Sequence, residues 1–194
     1  MRTRAGPRWA RLHRRVRSLV GLALLALALP GRAAETSPPP EYQLKAVFLF
    51  NFAQFVEWPA RAFGAPDAPL IIGVLGHDPF GSYLDELVHG EKVGAHLLAV
   101  RRFNRADDIT ECHILFVSPS EGESLEKTMD RLRGRSVLTV SDLESFTREG
   151  GMVRFATENG KIRLRINVEA AKACELKISS KILRPATVVT AGKD

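Results

Sequence analysis

The chain has 194 residues, 45% of them hydrophobic and 26% charged, with a formal net charge of +6. Residues 1–33 hold eight arginines and no acidic residue, so losing that segment leaves a net charge of −2. Bulk attraction to nucleic acid or to an anionic membrane is thereby excluded for the remainder, and its roughly 160 residues are enough for one domain with its own core.

Seven arginines from Arg2 to Arg17 precede an apolar run of 11 residues, Leu19 to Leu29, and Gly31-Arg32-Ala33-Ala34 follows. A basic start, a short apolar centre and a small-residue exit read as a secretory signal peptide, cleaved after Ala33. The run is well short of the roughly 18–20 residues that cross a bilayer, so no membrane insertion of the mature chain is expected. Arg17 stands where a twin-arginine signal wants an apolar residue, which favours general secretion and a periplasmic location. Residues 34–40, with Pro38-Pro39-Pro40, read as an exposed leader. Residues 41–187 form the expected domain and 188–194 a tail.

Leu44, Val47, Phe48, Asn51, Phe52, Phe55 and Val56 recur at helical spacing and predict an amphipathic helix from Glu41 to Glu57, ended by Trp58-Pro59. Leu70–Leu75 is a short apolar run typical of a buried strand. Asp78-Pro79 predicts a helix cap, with the helix running to Gly90. Strands follow over His96–Arg102 and His113–Val117. Ser120 and Glu123 predict a capping box for a helix through Leu125, Met129 and Leu132, stopped by Gly134. Another strand covers Ser136–Val140, and Ser141 or Asp142 caps a short helix with Leu143 and Phe146. Met152–Thr157 and Lys161–Asn167 alternate in character around Glu158-Asn159-Gly160, which predicts a β-hairpin. A last helical stretch spans Glu169–Leu183, with a break near Cys174. This order predicts a single-domain α/β sandwich: a mixed, mostly parallel sheet flanked by helices, with an antiparallel hairpin near one edge.

Trp58 either anchors a partner or closes the seam between helix and sheet. Asn51 either binds a partner or ligand or is held by backbone hydrogen bonds. The loop Gly76, Asp78, Phe80 and Gly81 should lie at a strand's carboxyl end, where α/β folds place ligands, although it lacks a phosphate-binding glycine motif. His77, His89, His96 and His113 show no metal-ligand spacing, and no metal or cofactor is expected. Ser120 or Ser141 could be drawn into a triad with His113 and Asp142, but no nucleophile elbow is present and no enzymatic activity is expected. In the hairpin Arg154, Arg163 and Arg165 alternate with apolar residues. Period two therefore puts the arginines on one face, a strip suited to an acidic partner surface, with Phe155 buried behind it. Lys177 in the terminal stretch is a neighbouring candidate. Cys112 and Cys174 are far apart in sequence, and export permits a disulfide between them.

Six segments, in order, resemble the YfiR family of bacterial periplasmic proteins. They are KAVFLFNFAQFVEWP (Lys45–Pro59), IIGVLGHDPFG (Ile71–Gly81), CHILFVSPSE (Cys112–Glu121), VLTVSD (Val137–Asp142), GGMVRF (Gly150–Phe155) and INVEAAKACELKISSKIL (Ile166–Leu183). The resemblance implies an exported, non-enzymatic regulator and a tendency to form homodimers. Its best-understood members bind and repress the periplasmic sensor region of an inner-membrane diguanylate cyclase, lowering cyclic di-GMP and biofilm formation. Other members accompany sensor kinases or receptors, which keeps a small-ligand sensor as the alternative. Cys112 matches a family cysteine whose partner position is Gly73 here, so a Cys112–Cys174 bridge would be an alternative to the family one.

Overall fold

The computed structural model describes residues 39–190 and 192. The expected signal peptide, and the leader before Pro39, lie outside the described residues. Helix α1 (Pro40–Phe55) opens the fold, with proline at its first turn where no amide donor is needed. Then come β1 (Val56–Glu57), β2 (Leu70–Leu75), α2 (Ser82–Val88), β3 (Lys92–Val93) and β4 (His96–Phe103). Next are β5 (Ile114–Val117), α3 (Leu125–Leu132), β6 (Leu138–Ser141), β7 (Val153–Glu158) and β8 (Lys161–Asn167). The chain ends with α4 (Val168–Ala173), β9 (Lys177–Ile178), α5 (Ser180–Leu183) and β10 (Thr187–Val189).

Eight strands form one sheet in the order β10-β8-β7-β6-β5-β2-β4-β3, and β1 pairs with β9 in a separate two-stranded sheet. Strands β4, β2, β5, β6 and β7 are mutually parallel, and β8 turns back against β7. This is the expected α/β architecture with its antiparallel hairpin near one edge. All six residues of β2 are buried because helices cover both faces of the sheet centre. The hairpin turn is two residues long, and Asn159 and Gly160 both have positive φ, as a type I′ turn requires.

Two apolar clusters lie on opposite faces of the sheet. Residues Ile72 and Val74, Phe155, and Leu164 and Ile166 pack with α1, α2, α4 and α5 in the larger one. Leu75, Leu115 and Val117 pack with Leu125 and Leu132 of α3 in the smaller one, which contains no hairpin residue.

Several local expectations are corrected. Helix α1 is rotated relative to the predicted stripe: it buries Lys45, Ala46, Leu49, Phe52 and Ala53, while Leu44 is 48% exposed. The helix is apolar nearly all round, so periodicity could not choose its inner face. The small Ala46 and Ala53, and a buried ion pair at Lys45, choose it instead. Helix α2 starts at Ser82 rather than after Asp78, whose Oδ1 accepts from the Phe80 amide at 2.7 Å in a local turn. No capping box forms at Ser120: residues 119–124 make a 3-10 turn, capped by Ser118. Beyond Ser141 there are turns, and no helix is present around Leu143 and Phe146. The terminal stretch is divided into α4, β9 and α5, with Glu175 in the left-handed region just after Cys174. Strand β10 carries the sheet on to Val189.

Candidate functional site

The sheet order places a reversal between β2 and β5. From β2 the chain crosses by α2 to β4 on one side, and from β5 it crosses by α3 to β6 on the other. Their helices lie on opposite faces, so a crevice opens at the carboxyl ends of β2 and β5. A cleft of about 700 Å³ lies there, lined by Tyr42, His77, Pro79, Gly81, Ser118 and Ser120 among others. All of the predicted loop residues except Gly76 line it.

The loop is held tightly. Gly76 has φ +83°, and a Cβ there would come within 2.4 Å of Ser120 Oγ, so glycine is required for this approach. The His77 amide then donates to Ser120 Oγ at 3.0 Å. Arg102 on β4 donates from Nε to Asp78 Oδ2 at 2.7 Å, from Nη2 to the Gly81 carbonyl at 2.8 Å, and from Nη1 to Asp85 at 3.0 Å. These carboxylates raise the guanidinium pKa further.

At the same end of the sheet Lys45 is 2% exposed, with Nζ 2.6 Å from Asp142 and 2.7 Å from Glu41. The Tyr42 hydroxyl donates to the same Asp142 oxygen at 2.8 Å, and burial together with this carboxylate raises the Tyr42 pKa. Glu41 is held below its ordinary value by the Lys45 ammonium and the Thr157 hydroxyl. A buried lysine was not anticipated from the sequence. The signal was present in its position, four residues from Glu41 in a helix otherwise uncharged to Phe55.

At the amino end of the sheet, Trp58 is half-buried and its Nε1 donates to the His113 carbonyl at 3.1 Å. Trp58 and Lys177 together line a groove of about 420 Å³ beside β1 and β9, with Pro59, Glu175 and Leu176. Lys177 lies on strand β9 rather than a helix, with Nζ 3.7 Å from Glu57.

The arginines stand elsewhere. Arg154 and Arg165 are cross-strand partners and Arg163 lies opposite Ala156, so all three share the hairpin face turned away from α1. Arg165 also meets Glu158 at 3.1 Å. Phe155, 2% exposed, points the other way and stacks on Phe52 with ring centroids 6.1 Å apart. It supports the strip from behind and offers no surface of its own. Lys177, expected beside the arginines, lies with Trp58 instead.

The nominal triad is not assembled, because His113 precedes β5 while Ser120, Ser141 and Asp142 follow β5 or end and follow β6, at the opposite end of the sheet. Ser141 is fully buried, and its hydroxyl donates to the Val117 carbonyl at 2.7 Å. Among the described residues there is no group of three or more His, Cys, Asp or Glu side chains able to hold a metal ion, and no helix long and apolar enough to cross a membrane.

Cys112 and Cys174 are both free. Cys112 packs in the smaller cluster, and Cys174 packs against the larger one beside the Gly134 backbone. Burial pushes the Cys112 thiol up to about 12, so it is not a nucleophile near neutral pH. A Cβ on Gly73 would lie 2.7 Å from Cys112 Sγ, which puts the residue facing this cysteine where the resemblance places it.

The sequence matches the YfiR/HmsC-like family over residues 42–187, from the first turn of α1 to the start of β10. The chain belongs to this family. Membership accounts for the α/β sandwich and carries a periplasmic regulatory theme. No curated protein matches the chain.

Proposed function

We propose that the mature chain is a periplasmic, non-enzymatic regulator that binds and represses the periplasmic sensor region of an inner-membrane signalling enzyme. A diguanylate cyclase is the leading partner class and a sensor kinase the next. The observation that carries this reading is membership of the YfiR/HmsC-like family. The arginine face of the hairpin supports it by offering a contact surface. On that face Arg163 is exposed, and a planar guanidinium is suited to bidentate pairing with a partner's carboxylate. Repression is then a population shift, in which the chain binds one conformation of the sensor region more tightly and holds the cytoplasmic output off.

The test is crosslinking of the tagged mature chain in intact periplasm, read by mass spectrometry, beside the double variant Arg163→Glu/Arg165→Glu. Enrichment of one inner-membrane cyclase or kinase that the double variant loses supports the reading. Loss of the gene should then raise cyclic di-GMP. Recovery of the chain alone, or equal recovery of the partner by the variant, overturns it.

A second reading has its own observation, the cleft of about 700 Å³ at the strand-order reversal. Here the protein is a small-ligand sensor, and its signal enters at the Gly76–Gly81 loop. A thermal-shift screen with periplasmic metabolites should find a stabilising compound whose effect is lost in Arg102→Ala. No stabilisation by any compound counts against it.

A further inference from the structure

His113 is 3% exposed and belongs to neither of the sites described above. It sits immediately before β5, at the amino end of the sheet, in a stack of three rings. Phe63 lies between the two imidazoles, 4.4 Å from the His113 ring and 3.8 Å from the His96 ring, nearly parallel to both. Trp58 closes the stack edge-on to His113 at 79°. These contacts clamp segment 58–68 against the sheet, helped by His96 Nδ1 at 2.7 Å from the Ala68 carbonyl.

The hydrogen bonds set the state of the His113 ring. Its Nδ1 accepts from the Ile71 amide at 3.0 Å, so Nδ1 carries a lone pair and the ring proton is on Nε2. Nε2 is buried toward the Ala62 carbonyl but makes no hydrogen bond of normal geometry. A second proton can go only to Nδ1, where it would face the Ile71 N–H. Among the described residues no carboxylate is hydrogen-bonded to the ring, and Glu111 acts on it only through its charge. The charged and titratable groups acting on His113 are His96 and Arg101 from β4 and Glu111 from the preceding loop. Glu111 lies 3.5 Å from Arg101. Segment 58–68 itself carries only Arg61, which pairs with Glu175 at the surface, and Asp67.

We propose that His113 is an acid-operated latch: protonation at Nδ1 breaks the bond from the Ile71 amide, expels the ring from its stack, and releases segment 58–68 together with the Trp58 groove. Burial holds the His113 pKa down to about 4, against 6.5 for a free histidine. A histidine whose folded value is depressed stabilises the clamped state above the unfolded value, and that stabilisation is lost as pH falls from 6.5 toward 4. An exported protein has no cytoplasmic buffer around it, so this window is one it can meet. The latch needs no partner, and it can fail while the docking reading holds, or hold while that reading fails.

The experiment is deuterium uptake of peptides spanning residues 58–68 in the mature chain, at neutral pH and at about pH 5, corrected for intrinsic exchange. Wild-type protection in this segment should fall on the order of ten-fold while the β5 and β6 peptides stay protected. His113→Asn keeps an acceptor for the Ile71 amide but cannot titrate, and its protection should not change with pH. Unchanged wild-type protection, or an equal loss in the variant, overturns the latch. If the variant does not fold, the His113 ring resonances of the wild type decide. A midpoint well below 6.5 that coincides with movement of the Ile71 amide and Phe63 ring signals supports the latch. A midpoint near 6.5, or one that leaves those signals unmoved, overturns it.

Discussion

The two ends of the sheet are closed in different ways. At the carboxyl end, charge does the work: Lys45 joins Glu41 and Asp142, and Arg102 ties Asp78, Asp85 and Gly81. At the amino end, stacked rings do it, with Phe63 between two imidazoles and Trp58 across the edge. In the first kind of closure the Lys45 ammonium holds Glu41 below its ordinary carboxylate value, so that ion pair persists in mild acid. The second depends on a histidine staying neutral, so it is the end that mild acid can open. One sheet thus carries a cleft with a rigid rim at one end and a groove with a releasable wall at the other.

The comparison breaks most sharply at Lys45. Lys45→Met removes the ammonium and leaves the Asp142 carboxylate buried with only the Tyr42 hydroxyl. We expect a loss of about 3 kcal/mol in denaturant unfolding of the mature chain, whereas an effect below about 1 kcal/mol would mean that the pair adds little beyond packing. Gly73→Ala comes next. Its Cβ would meet Cys112 Sγ at 2.7 Å, Phe103 Cε2 at 2.8 Å and Leu115 Cδ1 at 2.9 Å, all between packed layers. Overpacking of this kind costs about 2 kcal/mol and should appear as a lowered denaturation midpoint at an unchanged slope.

Trp58→Phe sharpens the amino end. It keeps the ring edge against His113 and deletes the Nε1–H bond to the His113 carbonyl, for about 1 kcal/mol at neutral pH. Its deuterium uptake should rise in segment 58–68 and nowhere at the carboxyl end. The smallest effect belongs to Arg102→Ala. Its side chain is 38% exposed, so solvent screening limits the loss to about 1 kcal/mol or less, and the loss should shrink further in high salt. Loop 76–81 should still exchange faster, which separates local loosening from global stability.

Legibility followed contact range. Strand β2 was readable residue for residue, because a run buried on both faces needs no partner information to be recognised. The hairpin was readable from its alternation and its Asn-Gly turn. Strands β1, β3 and β9 have two residues each, too few to show a period, and they exist only because a distant segment pairs with them. The helix expected after Ser141 failed because the Ser141 hydroxyl is used twice: it donates to the Val117 carbonyl and accepts from the Leu143 amide in a turn. The cleft loop was legible as a strand's carboxyl end. Its anchor, Arg102, was not, because nothing in the spacing of residues 78, 85 and 102 marks them as neighbours.

By itself the sequence determined the class of the fold, the sidedness of the hairpin arginines and the resemblance to the family. All three follow from local periodicity or ordered motifs, which short-range sterics and burial impose. The inner face of α1, the pairing of Lys45 with Asp142, the separation of Lys177 from the arginines and the stacking of Phe63 between two histidines were decided only by the tertiary structure. Each depends on which distant segments share a sheet edge or a helix face, and the chemistry of such a contact is written in neither partner alone.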